Sequence, residues 1–338
     1  MKKYFKFKEM YIALGLAALM TLICIIVISI KPDAETDYKN YSKKTNILTM
    51  NDKSMTLDEA FFITKNKQAH YEEYYLTYGN SFSWNTPVEY GKTYEDLVLE
   101  ETLQFIKEVF VLSEYAKENG YVLSDKELKA LEANVDAFIN NSDSKIIKAT
   151  NANRDIVTRV YTRTALYDKV CETILKDVDL TVDKEEARHC LVAIVEISPQ
   201  YFDSPERIAE KILERSNSGE VITEVAKLYD TTVEKMSVGK NTKISEEMMN
   251  FCLSLKDDEC KMTKIGDNYY VVYCYLADDE LVTQSAKEAL KEEKRASYIT
   301  EFVTKLEKDT PVTINKEAWE TISFENPIFT KSDILQTK

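Results

Sequence analysis

The run Ala187–Ile197, ARHCLVAIVEI, constrains this chain more than any other segment: it is apolar and β-branched within a sequence that otherwise repeats at helical spacing. It is too short for a long buried helix and closes on Ser198-Pro199, so it reads as a buried strand. A second strand is legible at Tyr269–Tyr275. Between the two, Ser204-Pro205-Glu206-Arg207 opens a helix that reaches Asn217, Gly219 breaks it, and Glu220–Tyr229 forms another. Residues 184–280 are therefore expected to form a compact α+β domain.

The flanking sequence is helical. Asn46–Met50 reads as a short strand and Asn51-Asp52 as a turn, after which the capping box Thr56-Leu57-Asp58-Glu59 opens a helix to Tyr78. Thr93-Tyr94-Glu95-Asp96 starts a second helix, apolar from Leu97 to Tyr115 and stopped at Asn119-Gly120. Ser124-Asp125-Lys126-Glu127 starts a third, and Ala152–Leu175 carries a further helical period. Only seven glycines and six prolines also favour long helices over loop-rich β architecture. A charged amphipathic helix follows at Thr283–Lys308, then strand-like Val312–Ile314 and Trp319–Phe324. The expected fold class is α+β, mostly helical: a helical domain over 45–183, completed by 281–338, with the small 184–280 domain inserted.

Met10–Ile30 is uncharged and about 30 Å long as a helix, the thickness of a bilayer core. Lys2, Lys3, Lys6 and Lys8 precede it against Glu9 alone, so positive-inside bias keeps residues 1–9 cytoplasmic and the bulk outside. The run exceeds a cleavable signal's apolar region, and Pro32 and Asp33 spoil a small-x-small cleavage site. Lipidation at Cys24 lacks its small preceding residue. Residues 10–30 are thus expected to be a single transmembrane anchor in the cell membrane, with 31–44 a polar tether.

A net charge of −14 without any basic stripe excludes nucleic acid as a partner. The cysteines, Cys24, Cys171, Cys190, Cys252, Cys260 and Cys274, include no C-x-x-C pair, and His70 and His189 are the only histidines, so no zinc site and no cofactor is expected. The cysteines after Cys24 sit beside apolar residues, as buried core thiols do. His70, among polar neighbours, reads as a surface residue.

Glu186–Val192 resembles the opening strand of a parvulin domain, written Ala-Arg-His-Ile-Leu, and Met248–Glu259 is similar to that family's segment ending in Phe-Ser-Leu, a basic residue and a Gly-Glu turn. Asp267–Val272 resembles its closing Gly-Tyr-His-Ile-Ile strand. The helices of 56–175, with a terminal helix and a Trp-bearing tail, are similar to the chaperone domain flanking parvulin modules in SurA- and PrsA-like foldases.

That resemblance implies prolyl isomerisation: easing a rotation barrier of roughly 18–20 kcal/mol by gripping proline in an apolar pocket beside two buried histidines and a polar Cys or Asp. Here His189 stands at the first histidine position, Tyr270 at the second and Thr231 near the Cys/Asp position, while Ile244 and Met248, with Phe251 beside them, stand for the proline-gripping side chains. The family's Gly-Gly-Asp-Leu-Gly stretch is missing, with Val238-Gly239-Lys240 its nearest remnant. The resemblance so read implies an anchored extracytoplasmic chaperone or foldase that binds unfolded exported polypeptides, X-Pro segments among them, through a module of weak or absent isomerase activity. An active parvulin-type isomerase and an envelope interaction scaffold are the alternatives, and His189 is either catalytic or a hydrogen-bonded strand residue. Tyr71, Tyr74, Tyr75 and Tyr78 share one helix face, which is either covered by tertiary core or forms an aromatic groove for unfolded clients, and Trp84 fits either. Client identity and oligomeric state are not written in the sequence.

Overall fold

The computed structural model describes residues 41–79, 82–88, 91–331 and 333. The anchor expected at 10–30, residues 1–9 and the first part of the tether lie outside them, and no helix among the described residues is long and apolar enough to cross a membrane. The chain is mostly helical with two small antiparallel sheets. In order it forms β1 (Asn46–Met50), β2 (Lys53–Thr56), α1 (Leu57–Tyr78), α2 (Tyr94–Glu118), α3 (Asp125–Asn141), α4 (Ser144–Ala149) and α5 (Arg154–Ile174). There follow β3 (His189–Ile197), α6 (Pro205–Asn217), α7 (Ile222–Lys227), β4 (Val233–Gly239), α8 (Glu246–Ser254), β5 (Cys260–Ile265), β6 (Asn268–Leu276), α9 (Glu280–Asp309) and β7 (Thr313–Ile314). Single helical turns lie at Lys184–Ala187 and Lys316–Trp319.

Among the described residues, Asp179–Arg295 make one compact unit, and the chain before 179 together with that after 295 makes another. In the helical unit the capping boxes at Thr56, Thr93 and Ser124 are formed as the sequence spells them. Its core gathers Ile47, Leu48, Phe61, Phe110 and Val170 from the first half of the chain with Ile299, Val303 and Ile322 from the last. β1 lies between β2 and β7, pairing Leu48 with Ile314 and Thr49 with Thr313. The Trp319–Phe324 strand anticipated from sequence does not form. Lys316–Trp319 coil into a turn capped by Asn315, whose side chain accepts the Ala318 N–H at 3.1 Å, and the chain beyond is irregular.

Charge is buried in that unit as a network. The Glu59 carboxylate, 2% exposed, accepts the Thr56 N–H at 3.0 Å and the Arg163 Nε–H at 3.0 Å. The same guanidinium donates to the Ser54 carbonyl at 2.8 Å, to the Ser113 hydroxyl at 3.2 Å and to Glu114, and it lies 5.4 Å from the Phe110 ring centre. Burial by itself would push the Glu114 carboxyl up, but hydrogen bonds from Lys117 and Arg163 hold it below the ordinary carboxylate range.

The smaller unit is a sheet of order β4-β3-β6-β5 with helices on both faces. Ala193, Val195 and Ile197 of β3 pack with Ala209 and Ile212 of α6 and Val225 of α7. Cys190, Val192 and Ile194 pack with Met248 and Cys252 of α8 on the opposite face. A continuous apolar run is what a strand covered on both faces needs, which is why β3 shows no polar alternation.

Arg163→Ala removes the cation that Glu59 and Glu114 share, leaving Arg159 on the first and Lys117 on the second, and is expected to destabilise the helical unit by about 1.5–3 kcal/mol, read by urea unfolding. Because the Glu114 carboxyl is lowered in the fold, its contribution is present above its unfolded pKa and lost as pH falls through the folded value, so Glu114→Gln should flatten the acid limb of a stability-against-pH curve.

Candidate functional site

The residues at the parvulin-like site positions, His189, Thr231, Ile244, Met248, Phe251 and Tyr270, all fall in the smaller unit. Met248 is buried on the inner face of α8, and Ile244, Phe251 and Tyr270 are half-buried beside it, packed with Val192, Val238 and Val272. These side chains come together because Ser245 caps α8, its hydroxyl accepting the Met248 N–H at 3.3 Å, which turns the first apolar residues of the helix onto the sheet. They form a half-covered apolar fringe suited to an apolar side chain or a proline ring.

His189 and Thr231 are engaged elsewhere. His189 opens β3, 7% exposed, and its Nδ1 lies 2.8 Å from the Ala187 carbonyl oxygen, so that nitrogen carries the hydrogen. Its backbone N–H donates to the Thr283 hydroxyl at 3.0 Å, and its carbonyl accepts the Asp279 N–H at 2.8 Å. The ring rests on Gly239, its partner in β4, so closely that a Cβ there would stand 2.4 Å from the imidazole. Thr231 donates from Oγ1 to the Ala226 carbonyl at 3.0 Å and so ends α7.

Register separates the two members of the anticipated pair. Tyr270 stands opposite Glu196, at the far end of β3 from His189. At about 3.3 Å per residue that is roughly 23 Å along the strand, too far for both to reach one proline ring. Tyr270 instead accepts from Asn268 Nδ2 at 3.4 Å, and Asn268 also donates to Glu196 at 2.5 Å.

Two arrangements emerge only in the fold. Gly239 is the seat of the His189 ring, and a glycine at the end of a strand in a chain with only seven of them is the available signal. Cys190, Cys252 and Cys274 share the α8 face of the sheet, each fully buried and unpaired. Burial first, and then the neighbouring thiols, push Cys252 and Cys274 up to about 12. The described residues hold no group of three or more His, Cys, Asp or Glu side chains that could bind a metal ion.

The chain is similar to PrsA- and SurA-like proteins. The peptidylprolyl isomerase PrsA of Bacillus cereus is 15% identical over 83% of this chain and 98% of that one, with a TM-score of 0.33. The foldase PrsA of Lactococcus lactis is 13% identical over 81% and 96%, with a TM-score of 0.31. A SurA-like chaperone of Campylobacter jejuni is 12% identical over 80% and 98%, with a TM-score of 0.26. No family model matches the chain. No curated protein matches it.

Gly239→Ala is expected to destabilise the smaller unit by about 1–3 kcal/mol, because the aromatic ring above it cannot bend aside, and the penalty should shrink in a His189→Ala background. Chemical denaturation of the four chains of that cycle reads both effects. Cys190, Cys252 and Cys274 should resist alkylation at pH 8 in the folded chain and react on unfolding, as measured by mass spectrometry.

Proposed function

We infer that this chain is an extracytoplasmic chaperone, anchored in the membrane through residues 10–30, that holds unfolded exported polypeptides and uses its parvulin-like module for binding rather than for isomerisation. The observation that carries the reading is the register that sets Tyr270 opposite Glu196, at the far end of β3 from His189, beside the apolar fringe of Ile244, Met248 and Phe251. Rotation about an X-Pro bond is accelerated only by groups that stabilise the twisted amide better than the planar one. Side chains that merely shelter a proline bind both forms alike. The sequence likeness of Glu186–Val192 and Met248–Glu259 to parvulin segments supports a module descended from an isomerase. The basic residues before the apolar run support the orientation. The net charge of −14 supports solubility for a protein that carries sticky clients.

The full chain in nanodiscs should slow aggregation of a chemically unfolded client at stoichiometric ratio, followed by light scattering. Failure to do so would overturn the chaperone reading. In a protease-coupled assay on X-Pro peptides the expected rate is the uncatalysed one, unchanged by His189→Ala. Acceleration that His189→Ala abolishes would assign an active isomerase instead.

A further inference from the structure

Residues 323–329 of the helical unit lie in the fold as a bound peptide lies in a receptor. Along α1, Lys65, Gln68 and Glu72 form a single line, all three buried. Polar side chains in that position need partners, and they find them in the backbone of residues 323–329. Lys65 Nζ donates to the Ser323 carbonyl, and Gln68 Nε2 donates to the Asn326 carbonyl at 3.0 Å. Glu72 Oε2 accepts the N–H groups of Ile328 at 2.6 Å and Phe329 at 2.9 Å. The Phe324 N–H donates to the Glu95 carboxylate at the start of α2. Glu72 is held in place in turn by Trp84 Nε1 at 2.8 Å and by Gln68 at 2.7 Å.

Recognition of this kind reads main chain on a bent course: the backbone bends at Asn326 and Ile328, so the successive N–H groups of Ile328 and Phe329 both meet one carboxylate oxygen. Only two side chains of the segment are deeply seated: Phe324, whose ring centre is 4.4 Å from that of Trp84, and Phe329. Glu325, Asn326 and Pro327 between them are exposed. The described hydrogen bonds of these main-chain groups run to side chains, whereas strands and helices pair main chain with main chain. A segment held this way leaves without breaking a sheet or unwinding a helix. The acceptors and donors it vacates would suit a chain that can bend in the same way and carries aromatic residues at the same spacing.

Resting on the chaperone reading above, we propose that the groove along Lys65, Gln68 and Glu72 is a client seat, taking segments of unfolded polypeptide that follow the same bent course with two aromatic anchors at the spacing of Phe324 and Phe329, and that residues 323–329 occupy it in cis until a client displaces them. Tethering gives the cis segment an effective concentration in the millimolar range, so the seat stays filled unless client is abundant or multivalent.

The test is hydrogen exchange at the amides of Ile328 and Phe329 in the wild-type full chain in nanodiscs, with and without millimolar peptide of sequence Thr321–Lys331. Protection of both amides should fall at least tenfold with peptide. A peptide N-methylated at the residues matching Ile328 and Phe329, which cannot donate to Glu72, should leave it unchanged. Phe329→Ala should lower the peptide concentration required at least tenfold; should that chain not fold, the wild-type comparison decides. Unchanged protection with the unmodified peptide, or equal loss with the N-methylated one, overturns the proposal. The same amides are then followed with an unfolded client bound. If aggregation is suppressed while both amides stay protected, the groove is not the client seat and the chaperone reading stands. If no client is held, the chaperone reading falls, and the client assignment of the groove falls with it.

Discussion

The helical unit is tied together by a buried ionic network centred on one guanidinium, with Arg159 and Lys117 at its margins. Arg163, on α5, meets the cap of α1 through Glu59, the end of β2 through the Ser54 carbonyl, and α2 through Ser113 and Glu114. A cation in an apolar interior is tolerable only when its donors are taken up by well-placed acceptors, and here carboxylates from two helices do so. The geometry leaves little freedom: α1, α2 and α5 must stand where the planar fork reaches them all. Hydrophobic contact alone would let the same helices slide, since dispersion and burial have no preferred direction.

Once those helices are placed, the remaining surfaces decide where the end of the chain goes. β1 exposes an edge that β7 closes, and the apolar faces of α1 and α2 receive Ile299, Val303 and Ile322. Tyr71 and Tyr75 become core under Phe82, Trp84 and Tyr94, while Tyr78 stays 60% exposed, so the tyrosine face of α1 is covered along most of its length. The polar line of Lys65, Gln68 and Glu72 is then left facing the terminal stretch, which supplies the main-chain partners these side chains require.

Much of this was legible in the amino-acid order, and for local reasons. Capping boxes at Thr56, Thr93 and Ser124 mark helix starts because the cap side chain and the residue three positions on bond each other's backbone. The β3 run and Tyr269–Tyr275 stand out because strands covered on both faces are apolar throughout. β2, β4 and β5 did not stand out: they are short or carry exposed lysines and glutamates, being edges of their sheets. Trp319–Phe324 looked like a strand from its aromatic and β-branched content, but the Asn315 cap coils its start into a helical turn, and Phe324 is spent against Trp84.

The candidate site was legible in part. Ile244, Met248, Phe251 and Tyr270 do gather on one face, as their helix and strand periods require. The sequence by itself determined where helices and strands begin, which of their faces are apolar, and that a mixed α+β stretch interrupts a helical one, because those properties depend on neighbours within a turn or two. Only the tertiary structure decided that Tyr270 of β6 pairs at the end of β3 far from His189, that Gly239 carries a ring, and that three polar side chains of α1 are buried against a distant segment. Strand register and the burial of polar groups depend on which remote residues meet, and nothing within a short window of sequence encodes that meeting.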